Sequence, residues 1–588
     1  MVRTFETASD GPDSDHSDCP MKYRFAIIGG GLTGTSLLCQ LVDALDRMGD
    51  AGRKSAFGLG IDIFEKHPVV GPGLPHNGAY VLPFHITNMC AGDMTVRIAR
   101  PDDFQQWVRR NREAVSPRFD QQESAFSVSG GVDEHCAHYP REVMGEYLKS
   151  QFDDALKKAE DIGVEVKTWS RCEVVDLWGE DTNIYLIAVG DQGDRKRAGP
   201  FQGALLATGH WFESSRIDNY LSSPWPAAKL RDVIPPGAEV GVIGSSLSAI
   251  ETALTLSAEG RFQRLDSGRL SYEKPDKPRR LTLFSRQGLL PRVRGRIGQR
   301  RNRYLTCERL RRLMDERPNQ LTLIELFQLI DRELSAAYGV QINWRQVVEP
   351  SGAPARVLEQ DIDRAVKGDG PEGELVWQTV LVQIFPVVRE LYLSLSAAER
   401  RLFDQQFNTL FFVHAATQPV SNAEKLLALM EAGVVEIKKL GRDYRFEINE
   451  STGEFEFYSG GTDGQCRLAT FSFCVDARGQ PRSIETDSSE LTRNLLQRGL
   501  VQTERLEPAD HAYTAGSASG SILIDPDTHR VVHTDPEHGG NAGIELFAVG
   551  AMTRGQIIDA SMAYGLARST QTIANLLIKK LSGLRRLE

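Results

Sequence analysis

Residues 23–41, YRFAIIGGGLTGTSLLCQL, run from an unbroken apolar stretch into a glycine turn and out into a helical repeat. Phe25 to Ile28 has the continuous hydrophobicity of a parallel strand buried on both faces. Gly29, Gly31 and Gly34 follow in GxGxxG register. The first permits the sharp turn, the second lets backbone amides approach a pyrophosphate, and the third allows close packing of helix on strand. The next strand, GLGIDIFEK (58–66), ends at Glu65. A carboxylate there accepts both ribose hydroxyls of FAD or NAD. The interval from Gly29 to Glu65 exceeds the roughly 20 residues usual for this fold, which demands a long helix or a long connection. A glycine turn without any ligand is the plainer alternative.

A second strand–turn–helix lies at EVGVIGSSLSAIETAL (239–254), where Gly244, Ser246 and Ala249 occupy the three glycine positions. Ser246 and Ser248 add hydroxyl donors beside the helix start. The following strand, RLTLFSRQG (280–288), ends at Ser285 and Arg286 instead of an acid. An arginine beside a hydroxyl suits a 2′-phosphate; the bland reading of Arg286 is a solvated surface charge. The two turns therefore read as separate sites, the first for FAD and the second for NADPH, a pairing in which an exchangeable nucleotide reduces a resident flavin.

With 588 residues the chain exceeds one hydrophobic core, and its net charge of −10 argues against a nucleic-acid surface. Its eight cysteines form no CxxC pair, as expected of reduced thiols in the cytoplasm. No segment has the apolar run of a signal peptide or membrane helix, so a cytoplasmic protein is expected. His135, Cys136 and His138 are too crowded to close a metal site, and no metal is expected.

Several segments together resemble the two-dinucleotide FAD/NAD(P)-binding oxidoreductases, a class that includes flavin-dependent N-hydroxylating monooxygenases. GAYVLPFHITNMCAGDM (78–94), YPREVMGEYL (139–148), GALLATGHW (203–211), FCVDARGQP (473–481) and the stretch from Glu545 to Leu577 carry the likeness. It implies an α/β fold with two Rossmann-like dinucleotide-binding domains and a helical insertion. It also marks Asn88, Arg141, Gly209 and Gly550 as cofactor-binding candidates. Many flavoproteins have Gly-Asp at the last turn; Ala551 stands here, leaving a backbone amide or the distant Asp559 to serve. The expected division is a disordered tail 1–22, an FAD domain 23–212 completed by 441–588, an NADPH domain 213–290, and an insertion 291–440 covering the substrate.

The insertion shows apolar residues three and four apart, as in ERLRRLMDERPNQLTLIELFQLIDREL (308–334). It opens with LLPRVRGRIGQRRNR (289–303), in which Arg292 and Arg294 are candidates for clamping substrate carboxylates. A solvated basic face is the alternative. His414 reads as a structural histidine. No GxSxG elbow or CxxC points to a hydrolase or a disulfide reductase. The resemblance implies an FAD- and NADPH-dependent monooxygenase acting with O₂ on the amine of a small amino acid, with L-aspartate, oxidised to nitrosuccinate, the leading substrate. A flavin oxidase or dehydrogenase without oxygen insertion, and a flavin-binding nucleotide sensor, are the competing readings. A homo-oligomer is compatible with the chain; the catalytic residue is not identified.

Overall fold

The computed structural model describes residues 2–3, 23–115, 137–211, 215, 217–441, 443–449, 451–459, 466–479, 483–506, 517–533 and 543–584. Of the tail expected over 1–22, only Val2–Arg3 is described, as a short edge strand; the rest lies outside the described residues, as do His135 and Cys136.

Two parallel sheets organise the chain, as the α/β reading anticipates. The first has six strands in the order Val2–Arg3, Glu165–Ser170, Leu59–Glu65, Tyr23–Ile28, Gly203–Leu206 and Leu546–Ala548. Phe25 and Ile27 point to one face, under the helices Leu32–Arg47, Arg141–Ile162 and Ala563–Leu584. Ala26 and Ile28 point to the other, under an antiparallel layer of Cys172–Glu180, Asn183–Gly190 and Arg195–Phe201. Burial on both faces explains why this strand reads as unbroken hydrophobicity. The long interval before Glu65 is filled by Leu32–Arg47 and a second helix, Asp50–Ala56.

The second sheet repeats the plan with five strands, ordered Val435–Lys439, Arg280–Ser285, Glu239–Ile243, Phe473–Asp476 and Tyr220–Leu221. Its far face is covered by an antiparallel layer, Arg445–Ile448, Phe455–Ser459 and Cys466–Phe471, through Phe284, Phe455, Phe457 and Phe471. The ladders thus carry the second unit well past residue 290. Leu281 pairs with Val435 and Val240 with Phe473, so Val435–Lys439 and the FCVDARGQP strand complete this sheet, with the helix Val420–Glu431 packed on it, rather than the insertion or the closing FAD segment. The reason is physical: Arg280–Ser285 and Glu239–Ile243 each leave an edge whose amides and carbonyls need a partner.

The helical insertion leaves the sheet after Arg280–Ser285 and returns before Val420–Glu431. Its neck is closed: the amide of Arg294 donates to Gln418 O at 2.8 Å and that of Gln418 to Arg292 O at 2.8 Å. The fully buried Gln418 side chain adds a bond to Pro291 O at 2.7 Å. Inside, Leu323–Tyr338 starts on a capping box in which Thr322 and Glu325 satisfy each other's backbone amides, and stops at Gly339 in the left-handed conformation. Arg389 ties the insertion to the C-terminal helix through Asp559 at 2.7 Å, Ser569 and Gly565 O. Asp559 is therefore an anchor for the insertion. No helix among the described residues is long and apolar enough to cross a membrane.

Gly29 has φ +109°, and a methyl built on it lies 2.1 Å from Ala207 O. Gly163 shares a positive φ but faces open space. Gly29→Ala is expected to cost about 3 kcal/mol or more, combining backbone strain with a clash that cannot relax. Gly163→Ala should cost only about 1 kcal/mol. Urea denaturation of the two variants checks the contrast.

Candidate functional site

Both glycine turns open on one cavity of about 2530 Å³, more than twice the upper end of the usual range for one ligand, about 1,000 Å³. It runs from the C-terminal edges of the two sheets to the inner wall of the insertion. Parallel α/β sheets place ligands at this edge.

At the first turn the helix Leu32–Arg47 begins at Gly31 with no side-chain cap and no acid in its first turn. Helices ordinarily use such groups to satisfy their leading amides, so these amides are left for an anion. A methyl on Gly31 would sit 3.2 Å from the Cα of Gly73, and one on Gly73 would equally meet Gly31. The two glycines thus pack backbone against backbone at the mouth of the turn, a contact that side chains would force apart. Gly34 packs the helix instead: its notional methyl falls 2.3 Å from Gly29 O. Glu65 lies at the end of its strand, accepting from the amides of Gly30 and His67 at 2.9 Å each. Burial pushes its carboxyl pKa up, and those two amides pull it back. These bonds leave lone pairs for ribose hydroxyls.

The second turn is built alike. Gly244 has φ +123° and backs onto Ala477 O, as Gly29 backs onto Ala207 O. The helix Leu247–Leu256 starts at Ser246, again without a side-chain cap or an acidic first turn. Ser245 is spoken for, its hydroxyl donating to Leu289 O at 2.6 Å. Ser285 accepts from the amide of Gly288 at 2.9 Å, and the exposed Arg286 donates to Thr409 of the insertion at 2.9 Å.

The cavity brings together Gly29, Gly31, Glu65, Asn88, Arg141, Gly209, Gly244, Ser246, Ser248, Ser285, Arg286, Arg292, Arg294 and Gly550. Of the residues expected at the cofactors, Gly34 alone stands behind it. Asn88 Oδ1 and Trp211 Nε1, in residues that line the wall, have no hydrogen-bond partner among the described residues. Arg141 is held by Glu251 of the second unit at 2.8 Å, both side chains being buried. Arg292 is engaged by Asp361 at 3.1 Å and Arg294 by Asp93 at 3.3 Å, so neither waits as an uncommitted clamp. His414 bonds Leu410 O through Nδ1 and packs edge-on to Trp377; burial lowers its pKa to about 4. Among the described residues no group of three or more His, Cys, Asp or Glu could hold a metal ion.

Sequence reasoning missed Gly73 and His67. The Gly-Pro-Gly at 71–73 was their available signal, a turn directly after the acidic strand end. It also missed His85, which spans the two units. Its Nδ1 accepts from the amide of Leu82, so Nε2 carries the proton and donates to Thr255 at 2.9 Å; Thr255 in turn donates to Glu251 O.

Residues 26–211 match the family model described as FAD-NAD(P)-binding. The uncharacterised protein YdhS of Escherichia coli (strain K12) is 23% identical over 485 residues, covering 78% of this chain and 83% of that one. Ornithine hydroxylase (PvdA) from Pseudomonas aeruginosa, in its reduced form, aligns with a TM-score of 0.52 at 11% identity, covering 95% of this chain and 99% of its own. A second structure of that hydroxylase gives 0.50 at 10% identity, with the same coverage. At these identities the likeness to the hydroxylase is one of fold, and it extends over nearly the whole of both chains.

Burial lowers the pKa of His76 and of His85 to about 3 each, with the nearby Arg141 charge adding to the effect. Below the ordinary value of 6.5 the unfolded chain takes up protons that the folded chain refuses. The stability these neutral imidazoles carry is complete above pH 6.5 and is lost progressively as pH falls toward 3. Each contributes a slope of about 1.4 kcal/mol per pH unit in that window. His85→Gln should shrink the loss of stability between pH 7 and pH 5 by about 2 kcal/mol, read from urea midpoints at the two pH values.

Proposed function

We propose that the chain is an FAD- and NADPH-dependent monooxygenase that oxygenates an amine nitrogen. The observation that carries this reading is a single cavity joining two uncapped glycine turns beneath a helical roof. Two nucleotides bound at those turns share one enclosure with a third compound. When bound, FAD supplies hydride acceptance from NADPH and activation of O₂, one oxygen atom going to the amine and the other leaving as water.

The chain's own contribution is position and exclusion of solvent. Gly29 and Gly31 give the pyrophosphate of FAD access to the leading amides of Leu32–Arg47, and Glu65 receives the ribose hydroxyls. At the second turn Ser246 and Ser248 face the pyrophosphate of NADPH, and Arg286 exchanges Thr409 for the 2′-phosphate. The insertion, pinned by Arg389 and Asp559, covers the space between the nucleotides and keeps bulk water from the reacting amine.

L-Aspartate remains the substrate that the sequence resemblance implies. Holding it through Arg292 and Arg294 requires its carboxylates to displace Asp361 and Asp93, since each arginine already has an acid within ion-pair distance.

Arg286→Ala is expected to weaken NADPH by about 1.5–3 kcal/mol, roughly 10- to 150-fold, through loss of a charge-assisted contact, with NADH little changed. Anaerobic stopped-flow reduction of the bound flavin by the two nucleotides measures this, and equal weakening of both overturns the 2′-phosphate assignment. Purified protein that binds no flavin would defeat the whole reading.

A further inference from the structure

The wall that the insertion presents to the cavity has a chemistry of its own. Helix Leu323–Tyr338 places Ile324 and Phe327 there, and the chain from 376 to 415 adds Trp377, Phe403, Phe407 and Phe411. Ile324 is 69% exposed, Phe327 42% and Phe407 40%. Large apolar side chains are seldom left open in such a group without a ligand to cover them. The segment Phe403–Phe407 is a turn of π-helix, a form that occurs mostly as single turns inside α-helices and is frequent at functional sites.

The ionic groups on this wall are occupied. Two carboxylates from the insertion line it. Asp361 faces Arg292, and Asp369 accepts from Tyr338 Oη and from the amide of Val376 at 2.8 Å each. A second ammonium group would have to share Asp369 with Tyr338 and the Val376 amide, and a second carboxylate would compete with Asp361 for Arg292 and Arg364.

From this wall, and resting on the amine-oxygenating reading above, we infer that the substrate is a largely apolar primary amine. An aliphatic chain or aromatic body lies along the insertion, with the nitrogen toward the nucleotide turns. A small, multiply charged amino acid meets the wrong surface. Specificity then comes from the length and shape of the apolar body.

Calorimetric titration of the FAD-loaded, oxidised full-length protein with straight-chain primary amines from butylamine to octylamine tests this without requiring turnover. The dissociation constant is expected to fall about fourfold per added methylene, with L-aspartate and L-ornithine at least 100-fold weaker than octylamine. Phe327→Asp should flatten the chain-length dependence. Phe57→Asp, at an exposed phenylalanine outside the cavity, should leave it intact. Absence of chain-length dependence, a dependence insensitive to Phe327→Asp, or tighter binding of either amino acid overturns the inference.

Product analysis run in parallel separates the two claims. Oxygenated aspartate or ornithine beside inert alkylamines removes the apolar substrate and keeps the monooxygenase. Alkylamines that bind by length through Phe327, yet emerge unoxygenated while NADPH is consumed, support the apolar site and remove N-oxygenation.

Discussion

A buried ion pair, Arg141 with Glu251, sets the relation on which the site depends. Arg141 sits in the first turn of its helix, where the helix dipole disfavours a cation. Burial makes Glu251 costly to ionise and raises its pKa, an effect that the facing guanidinium opposes. Each is unfavourable alone and stabilised by the other. One belongs to the first nucleotide unit and the other to the second, and His85 reinforces the join through Thr255. With the units locked in this orientation, two turns more than 200 residues apart in sequence face one enclosure.

The units achieve their turns with the same backbone device and different side chains. In each, a positive-φ glycine backs onto the carbonyl of the residue after a neighbouring strand, Ala207 in one and Ala477 in the other. The first helix then needs Gly34 to approach closely. The second tolerates Ala249, fully buried at the corresponding place. The strand registers, Ile28 beside Phe64 and Ile243 beside Phe284, put Ser285 where the first unit has Glu65, a hydroxyl in place of an acid, with Arg286 following it as Lys66 follows Glu65. This difference supports assigning the two turns to different nucleotides.

Features written in local order were legible in the sequence: the two strand–turn–helix units, the acid that ends Leu59–Glu65, and the amphipathic spacing of the insertion. What depends on distant partners was not. Phe473–Asp476 is only four residues long, and its place beside Val240 follows from ladder pairing across more than 200 residues. Its local hint was the small residue and glycine that close it, as they close the strand before Gly209. The partners of Arg292 and Arg294 are likewise unreadable, because Asp361 and Asp93 reach them only through tertiary packing. Asp559 shows the converse: local position near the last flavin turn suggested a cofactor role, and Arg389 from the insertion engages it instead.

The paired stems of the insertion, Arg292 to Arg294 against Gln418, have an evolutionary consequence. The segment between them departs and returns at one small gate, so its length can change while the strands on either side keep their registers, provided that the Arg389 anchor and the helix Pro354–Lys367, whose Leu358, Ile362 and Ala365 enter the core of the second unit, are kept. Lineages built on this chassis can reshape the roof over the cavity by altering one graft, leaving the two inherited glycine turns untouched.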